Sequence, residues 1–182
     1  MLFGRLFDRS AHKRRLAVES VYGDVVARAR DPHLYDTCDV PDTFDGRFEM
    51  MVWHLAFIVR RLRGGGEAQQ DFSQELFDRF LDDMDRSMRE AAVGDIAIPK
   101  RLKKMVRVWF GRIRALDELD GQPTLDKLEP ILQRNLYPDA DEPPSLRRLA
   151  GMLLDRMDEA ERAQPSDIVA GRSPYLRSEQ AA

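Results

Sequence analysis

The amino-acid sequence predicts an all-α protein, a single-domain irregular bundle of six to seven helices. Two observations carry this expectation. Apolar residues recur at three- and four-residue spacing in one segment after another, and most of those segments open on a capping residue or a proline. No stretch alternates apolar and polar residues as a half-buried strand does. Size agrees, because a chain of 182 residues lets one core bury roughly 70% of the unfolded surface without a covalent staple.

Residues 1–10 read as a short amphipathic lead-in carrying Leu2, Phe3, Leu6 and Phe7. A helix over 12–30 places Leu16, Val18, Val21, Tyr22, Val25, Val26 and Ala29 on one face, and Pro32 stops it. A loop containing Pro41 runs to about Asp42. Thr43 caps the next helix, which reaches about Arg63. Phe48, Met51, Val52, Leu55, Ile58, Val59 and Leu62 make its stripe, and Trp53 and Phe57 widen it until the helix is apolar nearly all round. Such a helix belongs in the middle of a core.

Gly64, Gly65 and Gly66 form a flexible link that lacks the spacing of a phosphate loop. Asp71 with Gln74 reads as a weak capping box opening a helix with Phe77, Phe80, Leu81, Met84 and Met88 on one side and acids on the other. Gly94 and Asp95 close it. Pro99 opens a helix with a stripe of Leu102, Met105, Val106, Trp109, Ile113 and Leu116. After a break at Gly121–Pro123, Thr124 caps a shorter helix in which Pro130 makes a kink or a split. An acidic loop, Pro138–Pro144, precedes the last long helix, capped by Ser145. The domain is expected over 1–165, with 166–182 as a partly disordered C-terminal tail.

Composition removes several function classes. Net charge is −3, so bulk charge does not make the chain a DNA binder. Cys38 is the single cysteine, which rules out an intramolecular disulfide and a cysteine-based zinc site. The longest apolar run, Met50–Val59, is too short to cross roughly 30 Å of hydrocarbon as a helix. Arg5 and Asp8 interrupt any signal-peptide core. The expectation is a cytoplasmic protein able to touch a membrane surface from outside.

Catalytic constellations are missing from the sequence. His12, His33 and His54 never stand four residues apart, and Met51 occupies the place a Glu-x-x-His pair would need. No nucleophile elbow, dinucleotide loop or Walker loop occurs. His54 reads as a packed core histidine that finds one hydrogen bond. The carboxylates at Asp82, Asp83 and Asp85, and those between Asp31 and Asp45, read as solvated faces rather than acid–base pairs. The expectation is no enzyme, no metal and no cofactor.

One charge pattern stands out. Between Lys100 and Arg114 lie seven cations (Lys100, Arg101, Lys103, Lys104, Arg107, Arg112 and Arg114) and no acid. A basic amphipathic helix can dock phosphates, anionic lipid or an acidic protein surface. The competing reading pairs these cations with the acids of the neighbouring helix, Asp71–Glu90. Arg60, Arg61 and Arg63 are explained equally well by the dipole at a helix C-terminus. Lys100, Lys103, Lys104 and Arg107 are the candidate partner-binding residues.

The segment Val40-Pro-Asp-Thr-Phe-Asp-Gly-Arg-Phe-Glu-Met50 resembles the ubiquinol–cytochrome c chaperone family. The likeness continues through Val52-Trp-His-Leu55 and Arg60–Arg63, returns at Leu81–Glu90 and Val93–Asp95, and goes on through Ile98–Met105 and Phe110-Gly-Arg112. Together these segments cover most of residues 20–120. The resemblance implies an assembly factor for ubiquinol–cytochrome c reductase, in a bacterial homologue. Mitochondrial members receive newly made cytochrome b near the ribosome exit with the help of a small partner protein. The resemblance therefore implies cytochrome b or another reductase subunit as client, leaves the ribosome open as a partner, and allows peripheral contact with the inner membrane. It carries over no catalytic residue. An apolar client needs an adaptable groove, and flexible methionines such as Met50, Met51, Met84, Met88 and Met105 suit one, although ordinary core packing is the favoured reading for each taken singly. The competing function is a ribosome- or nucleic-acid-binding helical module centred on Lys100–Arg114.

Overall fold

A computed structural model of the chain describes residues 2–91, 93–119, 123–140 and 145–175, with side chains from Ser10 onward. Among the described residues the fold is all-α. Six long helices are α1 (Leu2–Ala29), α3 (Phe44–Leu62), α4 (Glu67–Glu90), α5 (Ile98–Glu118), α6 (Leu125–Leu136) and α7 (Leu146–Arg162). Two helices of five residues, α2 (Pro32–Asp36) and α8 (Pro165–Val169), complete the set.

The apolar girth of α3 decides the architecture. A helix with no polar face has to be surrounded, and α3 packs against α1, α4, α5, α6 and α7. Met50, Val52, Trp53, Leu55, Ala56 and Ile58 are fully buried. The neighbouring helices each turn one stripe towards α3. Phe80 of α4 stacks on Phe48 at 5.9 Å between ring centres, and Phe77 stacks on Trp109 of α5 at 5.0 Å. The α5 and α6 helices both lean on α3 without a substantial interface between themselves.

Local chemistry sets the helix ends. Thr43 caps α3 as expected, its Oγ1 accepting from the Gly46 amide at 3.1 Å. Pro32, expected only to stop α1, also opens α2, where the Asp31 side chain accepts from the His33 amide at 3.0 Å. The α4 helix starts at Glu67 on the backbone of Gly66, one turn before the Asp71–Gln74 box, because the carbonyl of Gly66 takes the amides of Gln69 and Gln70. Pro130 neither splits nor ends α6, which runs unbroken through it. Ser145 stands at the start of α7 but spends its hydroxyl on Asp39 at 2.6 Å instead of on the helix.

At the N-terminus α1 runs back without a break to Leu2, and the side chains of the apolar lead-in Leu2, Phe3, Leu6 and Phe7 lie outside those described. At the other end, residues 165–175 pack onto the bundle. Ile168 of α8 is fully buried, and the Tyr175 ring sits edge-on to His54 at 5.5 Å, its Oη donating to the His54 carbonyl at 2.8 Å. Gly171 takes a φ of 85° against Ala17, where any Cβ would lie 2.9 Å from the Ala17 Cα. Residues 176–182 lie outside the described part.

Candidate docking site

The four candidate cations lie together. On α5, Lys100, Lys103, Lys104 and Arg107 fall at spacings of three and four residues, which puts them on one arc of the helix. All four are exposed. The pairing of this helix with the acids of α4 does not occur among the described residues. Several α4 carboxylates turn to α1 instead, Asp71 and Glu75 taking Arg14, while Arg79 of α4 takes Glu19 and Asp85 pairs with Arg89 on its own helix. Asp83 accepts from Tyr22 Oη at 2.9 Å and from Arg86 at 3.0 Å. Burial and the Asp83 carboxylate together push the Tyr22 hydroxyl well above its usual range. Next along, Arg114 pairs with Glu118 at 2.9 Å.

Arg112 does not belong to this surface. It is buried and engages Glu49 of α3 at two points, Nε to Oε1 and Nη2 to Oε2, with the guanidinium 6.0 Å from the centre of the Trp53 ring. Both residues come from segments that carry the family resemblance, and the fold brings them together across 63 positions of sequence. The signal was present in the spacing. Arg112 stands three residues after Trp109 and seven after Met105, on the buried stripe rather than the basic arc.

The segment from Val40 to Met50 has a physical reason for each unusual residue. The Pro41 carbonyl accepts from the Thr43 amide at 2.8 Å and lies where a Cβ on Gly46 would come within 2.0 Å of it. Only glycine lets α3 start this close to its own lead-in loop. Asp42 accepts from the Arg47 guanidinium, which holds its carboxyl below the usual carboxylate range.

Between the first turns of α3, the α5 helix and the end of α6 opens a cleft of about 590 Å³. Its floor is Phe48, Met105, Val108 and the Glu49–Arg112 pair; Arg101, Lys104 and Arg134 stand at its mouth. Phe44, 41% exposed, adds an apolar edge.

The remaining candidates are structural. Arg60 donates to Glu161 and to the Leu116 carbonyl, Arg61 to the Ala163 carbonyl and Arg63 to Asp117, so these three cations tie the end of α3 to α5 and α7. Met50, Met51, Met84 and Met88 are buried core, as ordinary packing, the favoured reading for each, expects; they line no groove. Met105 alone of the five reaches the cleft. Cys38 is fully buried 3.4 Å from the Met152 sulfur, and burial raises its thiol pKa. His54 is buried as expected, but neither ring nitrogen meets a protein partner; the ring packs against Phe57 and Tyr175 instead. Among the described residues no group of His, Cys, Asp or Glu is placed to hold a metal, and no helix is long and apolar enough to cross a membrane.

A family model described as ubiquinol-cytochrome C chaperone matches residues 36–175. The crystal structure of the Cbp3 homolog from Brucella abortus is similar over 99% of this chain and 99% of its own, with 32% sequence identity and a TM-score of 0.86. No curated protein matches the chain.

Proposed function

Because the chain belongs to the ubiquinol–cytochrome C chaperone family, we propose that it serves assembly of ubiquinol–cytochrome c reductase by holding newly made cytochrome b, docked through the basic arc of α5. It acts by binding and not by catalysis. The observation that supports this reading is the arc itself. Lys100, Lys103, Lys104 and Arg107 are exposed, and no described acid neutralises them. Cations left free of internal partners steer encounter with an acidic surface and set the register of docking.

A second reading rests on two apolar side chains beside the same cations. Ile96 is 97% exposed just before α5, and Phe110 is 61% exposed on it. Cations flanked by apolar anchors suit a peripheral stay at an anionic inner-membrane surface, where the client inserts.

The test is a deletion strain complemented with wild type or with Lys100→Glu/Lys103→Glu/Arg107→Glu, scored by b-type haem absorbance in membranes. The deletion is expected to lose assembled reductase, and the reversed variant is expected to restore only part of it while melting within a few degrees of wild type. Equal recovery by the reversed variant removes the docking role of the arc. Normal haem b in the uncomplemented deletion removes the cytochrome b reading.

A further inference from the structure

The cleft between α3, α5 and α6 has an unbalanced mouth. Arg101, Lys104 and Arg134 are exposed and make no ion pair among the described residues. At the floor, Glu49 and Arg112 neutralise each other. Asp45 is the one lining acid that no described cation pairs with. Three free cations against one free carboxylate leave the mouth with two positive charges, over a floor of Phe48, Met105 and Val108.

This combination specifies a ligand with two kinds of surface, an apolar strip and carboxylates on its flank. Its size follows from continuity. Lys104 belongs both to the cleft and to the outer arc, and the arc runs roughly 10 Å along α5 from Lys100 to Arg107, at about 1.5 Å per residue. A ligand that fills the cleft and reaches along the arc extends over about two turns of helix or more, which favours a polypeptide over a small anion. The walls are two helices with little contact of their own above a third, the shape in which an amphipathic helix lays its apolar face.

We propose that this cleft receives an amphipathic helical segment of the client, with its apolar side chains on Phe48, Met105 and Val108 and its carboxylates against Arg101, Lys104 and Arg134. The inference rests on the chaperone reading above and assigns the place and the chemistry of the contact. The Glu49–Arg112 pair serves as a fixed polar floor, already satisfied, so the client's carboxylates meet the mouth cations instead.

The experiment uses the full chain in its native cell. A photoreactive p-benzoylphenylalanine replaces Val108 in the cleft or, as control, exposed Ala27 on α1, and epitope-tagged cytochrome b is the probe. An adduct is expected from position 108 and not from 27. Arg101→Glu/Arg134→Glu is expected to lower its yield roughly tenfold, as loss of a complementary rim does. Melting of the reversed protein checks its fold, and Arg101→Gln/Arg134→Gln, which removes charge without adding any, is expected to show a smaller loss in the same direction. Absence of an adduct at 108, or an unchanged yield in both variants, overturns the cleft. If adducts then arise at 27, or the deletion strain still lacks haem b, the chaperone reading survives that loss. Normal haem b in the deletion takes both down together. A final arm offers the purified protein phosphatidylglycerol vesicles. Vesicle binding that the reversal abolishes, with no adduct at 108, assigns the cations to lipid and overturns the proposal.

Discussion

Glu49 and Arg112 meet at two points inside the bundle, α3 to α5, with side chains only 6% and 10% exposed. A buried charge pair gains little over a packed apolar pair but is costly to halve, because the survivor is left unpaired in a low-dielectric interior. Removing one partner, as in Arg112→Met, is expected to cost about 3–5 kcal/mol, whereas Glu49→Leu/Arg112→Met recovers much of that. Chemical denaturation of the two single variants and the double variant checks it. Additive losses in the double variant contradict the pairing.

Gly46 is expected to tolerate no side chain. A Cβ there would lie 2.0 Å from the Pro41 carbonyl oxygen, a backbone atom held by the Thr43 amide. Gly46→Ala would ordinarily favour a helix, yet here it forces the cap and lead-in apart and is expected to destabilise by about 1–3 kcal/mol or more. Thermal melting decides, and a stabilised variant would mean that the lead-in loop moves freely.

His54 makes the fold acid-sensitive. Burial, with Arg156 and Arg28 nearby, pushes its imidazole down to about 3. The unfolded chain takes up that proton near pH 6.5 and the folded chain refuses it until about pH 3. Below about pH 6.5 the unfolded state thus binds more protons, and stability falls as pH falls. The loss is about 2 kcal/mol between about pH 7 and pH 5. His54→Leu is expected to flatten this limb in urea titrations at the two pH values. An equally steep loss in the variant would place the acid sensitivity elsewhere.

Tyr175 fastens the end of the described chain. Its Oη donates to the His54 carbonyl at 2.8 Å, and the ring lies 5.9 Å from the Arg28 guanidinium. Tyr175→Phe is expected to cost about 1 kcal/mol for the hydrogen bond, and Tyr175→Ala about 3–5 kcal/mol for the emptied site. Equilibrium unfolding measures both. Near-wild-type stability of the alanine variant would show that residues 165–175 add nothing to the core.

Helical periodicity by itself determined the fold class and the six long helices, because a helix buries residues three and four apart whatever it packs against. It also determined that α3 is central, since a segment apolar on nearly every side has nowhere else to go. The resemblance through Phe110-Gly-Arg112 placed the chain in its family, although the family match extends to residue 175, well past the segments that carried the likeness. What tertiary structure alone decided are the pairings between distant positions. Asp71, Glu75 and Asp83 of α4 meet α1, and no described α4 acid pairs with α5, so the basic arc stays unpaired among the described residues. Arg112 turns inward to Glu49, removing one cation from a run that looked uniform in sequence. Tyr175, in a stretch read as a polar tail, inserts beside His54, 121 residues away. The cleft exists because α5 and α6 share α3 as their support without closing on each other. Each of these depends on how helices are set against one another in space, and local spacing carries no record of that arrangement.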